Sequence, residues 1–349
     1  MKFRRLSVVL VALIATSVLV VDPTSLAAEA PTARALAHHL KRGFRNLDPT
    51  YSYSMPGRAL RLLTRTFEGW PARGTPPAVV ANDGAELRAN GHEPTLSWIG
   101  HATFLIQIGG VNVLTDPNWS DRASPLSFAG PRRLVPPGMR FEDLPPIHAV
   151  VISHDHYDHL DAPTIRRLTR EHAPTFFVPL GLKPWLLDHG ARDVVELDWW
   201  EGKDFRGLRF TSTPAQHSSG RGFADQNLTL WSSWVIAGPT RRLFFAGDTG
   251  YWRGAKEIGE RLGPFDVAAI PIGGYSSYTH GHPNHVNPEE AVQLFEDVKG
   301  RLMVPMHWGT FELNREPFRE PPQRLEREAR RRGLETDIAL LSPGQTIHW

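Results

Sequence analysis

One heptapeptide constrains this chain more than any other feature: Ser153-His154-Asp155-His156-Tyr157-Asp158-His159. It follows Ala149–Ile152, a fully apolar run that reads as a buried strand, so its polar residues fall where the strand ends and the backbone turns. His154 and His156 project alike from an extended segment because side chains alternate along it. Asp158 and His159 come after the bend and can face a second point. That layout suits two cations side by side rather than one. Imidazole nitrogen and carboxylate oxygen are donors for zinc, iron or manganese. The plainer alternative is a solvated polar loop. Against it, four donors packed together (His154, His156, Asp158, His159) repel one another and resist desolvation unless a cation offsets both. The chain has no cysteine, which removes thiolate ligands, a cysteine nucleophile and a disulfide scaffold together.

A two-cation site needs more donors, and three further strand ends supply them. His217 closes Thr211-Ser212-Thr213-Pro214-Ala215-Gln216-His217. Asp248 follows the apolar run Phe244-Phe245-Ala246-Gly247, where a carboxylate can bridge two cations with its two oxygens. His307 follows Met303-Val304-Pro305-Met306. Any one of these alone is more often a packed or exposed residue than a ligand. As the fifth, sixth and seventh members of one pattern they become candidates.

The rest of the 349-residue chain falls into three parts. Residues 1–27 have a basic start (Lys2, Arg4, Arg5), an apolar run over Leu6–Val21 and small residues at Ser25–Ala28, the layout of a secretory signal peptide. The run is short for spanning a bilayer as an uncleaved anchor. Both readings place the folded part outside the cytoplasm, in a periplasmic or extracellular setting. Residues 28–91 are rich in Pro, Gly and Arg, with helical periodicity only near Arg58–Phe67, and read as an extension packed on the core. Residues 92–349 carry the regular pattern. Strands are expected at Thr95–Ile99, Thr103–Ile108, Val111–Thr115, Ala149–Ile152, Thr175–Val178, Leu208–Thr213, Leu228–Ile236, Arg242–Ala246, Val267–Ile270 and Leu302–Met306. Helices are expected at Pro163–His172, Pro184–His189, Gly254–Leu262, Pro288–Val298 and Pro322–Arg332. Antiparallel strands first, then strands alternating with helices, predict an α/β fold: an αββα sandwich of two mixed sheets with helices outside.

Several longer blocks point the same way: Leu96-Ser97-Trp98-Ile99-Gly100-His101-Ala102-Thr103, Leu197-Asp198-Trp199-Trp200, Gly263-Pro264-Phe265-Asp266, Pro271-Ile272-Gly273, His285-Val286-Asn287-Pro288-Glu289-Glu290-Ala291 and His307-Trp308-Gly309-Thr310-Phe311. Together with His-x-His-x-Asp-His they resemble the metallo-β-lactamase superfamily. The longer blocks resemble one branch of it, the N-acylphosphatidylethanolamine-hydrolysing phospholipases D and their bacterial relatives. The similarity runs from about Thr95 to the carboxyl end, with a weaker echo near Phe44–Pro49.

The resemblance implies two zinc ions, with iron or manganese as alternatives. One would be held by His154, His156 and His217, and the other by Asp158, His159 and His307, with Asp248 bridging. It implies a dinuclear hydrolase that cleaves a phosphodiester bond of N-acylphosphatidylethanolamine or a related phospholipid with metal-bound hydroxide, so that Asp158, Asp248 and His285 belong to the catalytic set. His101 would orient a ligand or bond to Asp248. Tyr275 and Tyr278, with Trp119 and Phe128, are candidates for lining an apolar substrate groove. Arg132 and Arg133 could meet phosphate or simply face solvent. Asp155 reads as a solvated loop acid, and His280 and His282 as members of a flexible polar loop. Between Gly274 and His285, and after His217, the chain departs from the animal members, which bears on lipid specificity.

Charge narrows the choice of partner. The formal net charge is +2, and removing residues 1–27 leaves 36 charges of each sign, so nothing draws this protein to nucleic acid. A phospholipid or other small phosphodiester, with peripheral membrane contact, suits it better. The resemblance leaves a homodimer open, although no partner surface is legible in the sequence. The competing readings are a metal-dependent lactonase or other ester hydrolase of the same fold, and a non-catalytic envelope protein.

Overall fold

The computed structural model describes residues 37–48, 74–222, 224–275, 284–313 and 316–349. The proposed signal segment, the helix expected near Arg58–Phe67, Tyr278, His280 and His282 lie outside the described residues. No helix of the described residues is long and apolar enough to cross a membrane.

Two mixed sheets stack face to face. The first has seven strands: β1 (Thr95–Gly100), β2 (Thr103–Ile108), β3 (Val111–Thr115), β4 (Ala149–Val151), β5 (Thr175–Pro179), β6 (Asp193–Leu197) and, at its far edge beside β1, β13 (Thr346–His348). The second has six: β7 (Gly202–Phe205), β8 (Leu208–Thr213), β9 (Ser233–Ala237), β10 (Arg242–Phe245), β11 (Val267–Pro271) and β12 (Met303–Met306). β3 to β6 are mutually parallel, as are β10 to β12, and antiparallel pairs join the remaining neighbours. The expected αββα arrangement of mixed sheets is what forms.

Composition explains the layers. β4, β5, β11 and β12 are buried along their whole length, as befits parallel strands covered on both faces. Phe104, Phe177, Phe210, Trp234, Phe244 and Phe245 belong to a single cluster, and Phe177 stacks on Phe210 with 4.1 Å between ring centroids. A second apolar cluster joins Phe176 and Val178 to helices α2 (Ala162–Glu171) and α3 (Lys183–Asp188) through Ile165, Leu168 and Leu186. α2 starts where Asp161 accepts the Thr164 N–H, with Pro163 in its first turn. Farther on come α4 (Ala255–Arg261), α5 (Pro288–Asp297) and α6 (Glu320–Arg332). Asn287 and Glu290 close a reciprocal capping box on α5, a signature visible in Asn-Pro-Glu-Glu. A short helix, α1 (Ala85–Ala89), precedes the first sheet.

The differences from expectation are local. The run Leu228–Ile236 is strand only from Ser233. Before it the backbone pairs across the sandwich instead, Leu230 N–H donating to the Leu180 carbonyl and Ser232 N–H to the Ser153 carbonyl. β6, β7, β13 and α1 were not expected. β7 and β13 are edge strands, half-exposed and short, so their residues carry little hydrophobic alternation.

The topology has one consequence for the site. β3 and β4 run parallel, and β1 reaches the same direction through two antiparallel pairings. In the other sheet β8, β10, β11 and β12 share a direction by the same reasoning. The carboxyl ends of these strands therefore emerge together along one edge of the sandwich, and every candidate donor from the sequence sits just beyond one of them.

Candidate metal centre

Seven side chains converge at that edge. The donor atoms of His154, His156 and His217 all lie within 4.8 Å of one another, as do those of His101, Asp158, His159 and His307. Asp248 stands between the two groups. Its Oδ2 is 3.1 Å from His159 Nε2, 3.7 Å from His217 Nε2 and 3.9 Å from His154 Nε2, and its Oδ1 is 3.2 Å from His307 Nε2. The structure thus brings together all seven residues that the sequence picked out as donors.

The aim of each imidazole is set from behind. Ser153 Oγ donates to Asp116 and accepts the His154 Nδ1–H at 2.9 Å, which leaves His154 Nε2 facing inward. His217 Nδ1–H donates to the Asn284 carbonyl at 2.9 Å, so its Nε2 also points in. His159 Nδ1–H donates to Asp116 Oδ2 at 2.7 Å. Asp116 is itself fully buried and also accepts the Ser153 N–H at 2.6 Å. Gly247 lets the two sheets meet here: its φ is 58°, and a Cβ on it would lie 2.6 Å from the Ser153 Cβ.

Two features of this packing fit a cation better than protons. His154 Nε2 lies 2.8 Å from His156 Nδ1, and His217 Nε2 lies 3.3 Å from that same Nδ1. One proton can bridge only one pair of nitrogens, whereas a cation at their centre takes all three lone pairs. In the other group, His159 Nε2, His307 Nε2 and Asp248 Oδ1 are buried and make no hydrogen bond. Orphaned donors and acceptors of this kind are costly unless something coordinates them.

The two groups differ in charge. Burial, with neighbouring imidazoles, holds His154 well below the usual histidine range, and burial lowers His217 to about 3 despite the attraction of Asp248. Burial also opposes the protons on His159 and His307. There the carboxylates prevail: Asp248, Asp158 and Asp116 hold His159 well above its usual value, and Asp248 and Asp158 raise His307 to about 9. Asp158 and Asp248 are buried too, yet His159 and its neighbouring imidazoles keep both well below the carboxylate range.

The remaining sequence candidates sort plainly. His285 borders the cluster, its Nδ1 3.9 Å from Asp248 Oδ2 and its ring 5.2 Å from those of His217 and His307. His101 bonds to Asp158 Oδ2 at 2.9 Å rather than to Asp248, and burial, with His307 nearby, lowers it to about 3. As a neutral imidazole it donates Nε2–H to the carboxylate and so holds Asp158. Asp155 is not a solvated loop acid. It is 3% exposed, accepts the Gly220 N–H at 2.7 Å and the Thr229 hydroxyl at 3.0 Å, and pins the loop after His217.

Arg133 meets the backbone rather than solvent, donating to the Ser120 and Asn118 carbonyls beneath Phe311, while Arg132 is exposed. Tyr275 is buried and donates to Glu320 Oε1 at 3.0 Å, and Trp119 donates to the Met139 carbonyl, so their polar ends are engaged away from the cluster. Phe128 is 78% exposed. A small pocket of about 30 Å³ opens beside the cluster, lined by His101, His307, Thr310, Phe311, Glu316 and Phe318 among others.

Asp116 is the functional side chain that sequence reasoning missed. The signal was present, since Asp116 follows the apolar run of β3 as Asp248 follows that of β10.

Comparison with known proteins agrees with this geometry. The family described as the beta-lactamase superfamily domain matches residues 111–308. The N-acyl-phosphatidylethanolamine-hydrolyzing phospholipase D 1 of Caenorhabditis elegans is 46% identical over 241 residues, covering 66% of this chain and 68% of that protein. An uncharacterized protein of Mycobacterium tuberculosis (strain ATCC 25618 / H37Rv) is 39% identical over 335 residues, covering 93% of this chain and 89% of that one. Among solved structures, Igni18, a metallo hydrolase from the archaeon Ignicoccus hospitalis, superposes with a TM-score of 0.55 at 25% identity, over 73% of this chain and 98% of that one.

Proposed function

Because this chain belongs to the metallo-β-lactamase superfamily, among the relatives of the N-acylphosphatidylethanolamine-hydrolysing phospholipases D, and is a metal-dependent hydrolase of that fold, we propose that it cleaves a phosphodiester bond of N-acylphosphatidylethanolamine or a closely related phospholipid and releases phosphatidate. One observation carries the metal part of this reading: Asp248 lies between an all-imidazole trio and a mixed trio whose inward nitrogens, His159 Nε2 and His307 Nε2, face carboxylate oxygens without making a hydrogen bond. The 46% identity to the nematode enzyme supports the substrate class.

In this reading His154, His156 and His217 would hold one divalent cation and Asp158, His159 and His307 the other, with Asp248 available to both. Zinc suits the donor set, and iron or manganese would also suit it. When bound, such a pair would supply an activated water near neutral pH and would offset charge developing on phosphoryl oxygens. The chain's own residues do the rest. Asp116 and Ser153 fix the tautomers of His159 and His154, and His101 fixes Asp158. His285 is 15% exposed at the rim of the cluster, where it can donate to a phosphoryl oxygen or protonate the leaving alkoxide. Export as a periplasmic or extracellular protein, with peripheral contact to the lipid surface, completes the proposal. Mass spectrometry of the mature chain is then expected to find a start near Ala28.

The test is incubation of purified, metal-analysed protein with N-acylphosphatidylethanolamine, plain phosphatidylethanolamine and a chromogenic phosphodiester. The expected result is phosphatidate from the first, abolished in Asp248→Asn. Turnover confined to lactones or β-lactams would overturn it.

A further inference from the structure

Residues 37–48 lie more than a hundred positions before His217, yet one of their side chains grips its main chain. Asn46 Oδ1 accepts the His217 N–H at 3.0 Å, and Asn46 Nδ2 donates to the His217 carbonyl at 2.8 Å. This amide-to-peptide pair imitates one rung of a sheet ladder. The indole of Trp231 donates to the same Oδ1 at 3.1 Å and fixes the amide from its other side.

The segment that carries Asn46 is fastened at several points. His38 Nε2 and His39 Nε2 each donate to a different oxygen of Asp198, both at 2.7 Å. His38 is buried and stacks on Trp199 at 4.2 Å between ring centroids. The turn between them is closed by Leu40 N–H to the Gly43 carbonyl and Arg45 N–H to the His38 carbonyl. Phe44 N–H donates to Asn227, and Gly43 allows that approach: with φ at 78°, a Cβ there would sit 2.2 Å from the Asn227 carbonyl oxygen. Phe44 packs with Trp199, Ala215, Leu230 and Trp231.

We infer that Asn46 is a positioning residue for the all-imidazole half of the centre, and that residues 37–48 act as a clasp which sets His217 for cation binding. The ring of His217 is oriented by the Asn284 carbonyl, but where that ring stands depends on its backbone, and Asn46 holds both main-chain polar groups of that residue. The mixed half does not touch Asn46: Asp158 is held by His101 and, at its carbonyl, by Asn118, His159 by Asp116, and His307 by the backbone of His101. The clasp should therefore affect one cation and spare the other. This inference rests on the proposed metal centre.

The experiment is cobalt(II) titration of metal-free full-length protein against a competing chelator, followed by visible absorption, for the wild type, Asn46→Asp and Asn46→Ala. Asn46→Asp is isosteric. It keeps the acceptor for His217 N–H and Trp231 but sets a carboxylate oxygen against the His217 carbonyl. The wild type is expected to bind two equivalents; binding of none would overturn the metal centre and the clasp together. Given two, the inference expects both variants to weaken one equivalent by about 10- to 100-fold, as for other residues that orient ligands, with a changed absorption band for that ion and an unchanged second equivalent. Two equivalents of wild-type affinity and spectrum in Asn46→Asp would overturn the clasp and leave the metal centre standing. An equal loss of both in Asn46→Asp would also overturn it, since a general structural defect does not choose between halves.

Discussion

The two halves of the centre share Asp248 but compete with protons on different terms. His154 and His217 are backed by neutral groups, a serine hydroxyl and a peptide carbonyl, and burial keeps both free of protons at neutral pH. Asp158, His159 and His307 lie amid three buried carboxylates, Asp116, Asp158 and Asp248, which hold protons on His159 and His307. A cation entering the first half finds no proton on His154 or His217 to displace. One entering the second must expel what the carboxylates have retained. The difference shows that a histidine's readiness as a ligand is decided less by its own burial than by the charge of the group behind it.

The largest effect should come from the residue the halves share. Asp248→Asn removes charge from both, so elemental analysis is expected to find less than one metal equivalent, with turnover lowered roughly 10³-fold. Retention of two equivalents would break the picture of a shared bridge.

Asp116→Asn separates the halves. An asparagine can still accept the Ser153 N–H, but the charge behind His159 is gone. Chelator competition should show the mixed half weakened about 10- to 100-fold and the imidazole half little changed. Equal weakening would mean that Asp116 supports the whole edge rather than one ligand.

The pH dependence sharpens the comparison further. Because the folded-state values of His159 and His307 are raised, their protons oppose the second cation at neutral pH and leave as pH climbs, His307 at about 9. Affinity of the mixed half should therefore rise with pH up to about 9, by roughly tenfold per unit for each proton released. The imidazole half, with His154 and His217 lowered, should be nearly flat from pH 7 upward. Calorimetry in two buffers of different ionisation enthalpy measures the protons directly.

The smallest expected effect is Thr310→Val. Thr310 Oγ1 accepts the buried N–H of His101, a residue whose φ is 54°. Losing that acceptor should cost about 1–3 kcal/mol of stability in a denaturant melt while leaving both metal affinities within a few fold.

How much of this was legible in the sequence follows from where each residue sits. The seven donors could be read because each ends a strand whose apolar run announces it, and parallel strand order sends those ends to one edge. The sandwich followed from the same alternation. Edge strands β7 and β13 were not legible because half-exposed pairing leaves no apolar pattern. The supports were harder still. Asp116 ends a strand as the donors do, but its partner His159 lies 43 positions on, and Asn46 acts on His217 across 171 from a stretch with no such mark; only the folded chain supplies either partner. Asp155 misled for the same reason, since its partners Gly220 and Thr229 belong to a distant loop.

The most direct test is a crystal of protein purified without chelator, with anomalous diffraction collected on both sides of the metal absorption edge. Two anomalous peaks are expected, one among His154, His156 and His217 and the other among Asp158, His159 and His307, with Asp248 contacting both. A single peak, or none in protein shown by elemental assay to have been offered the metal, would contradict the two-cation centre.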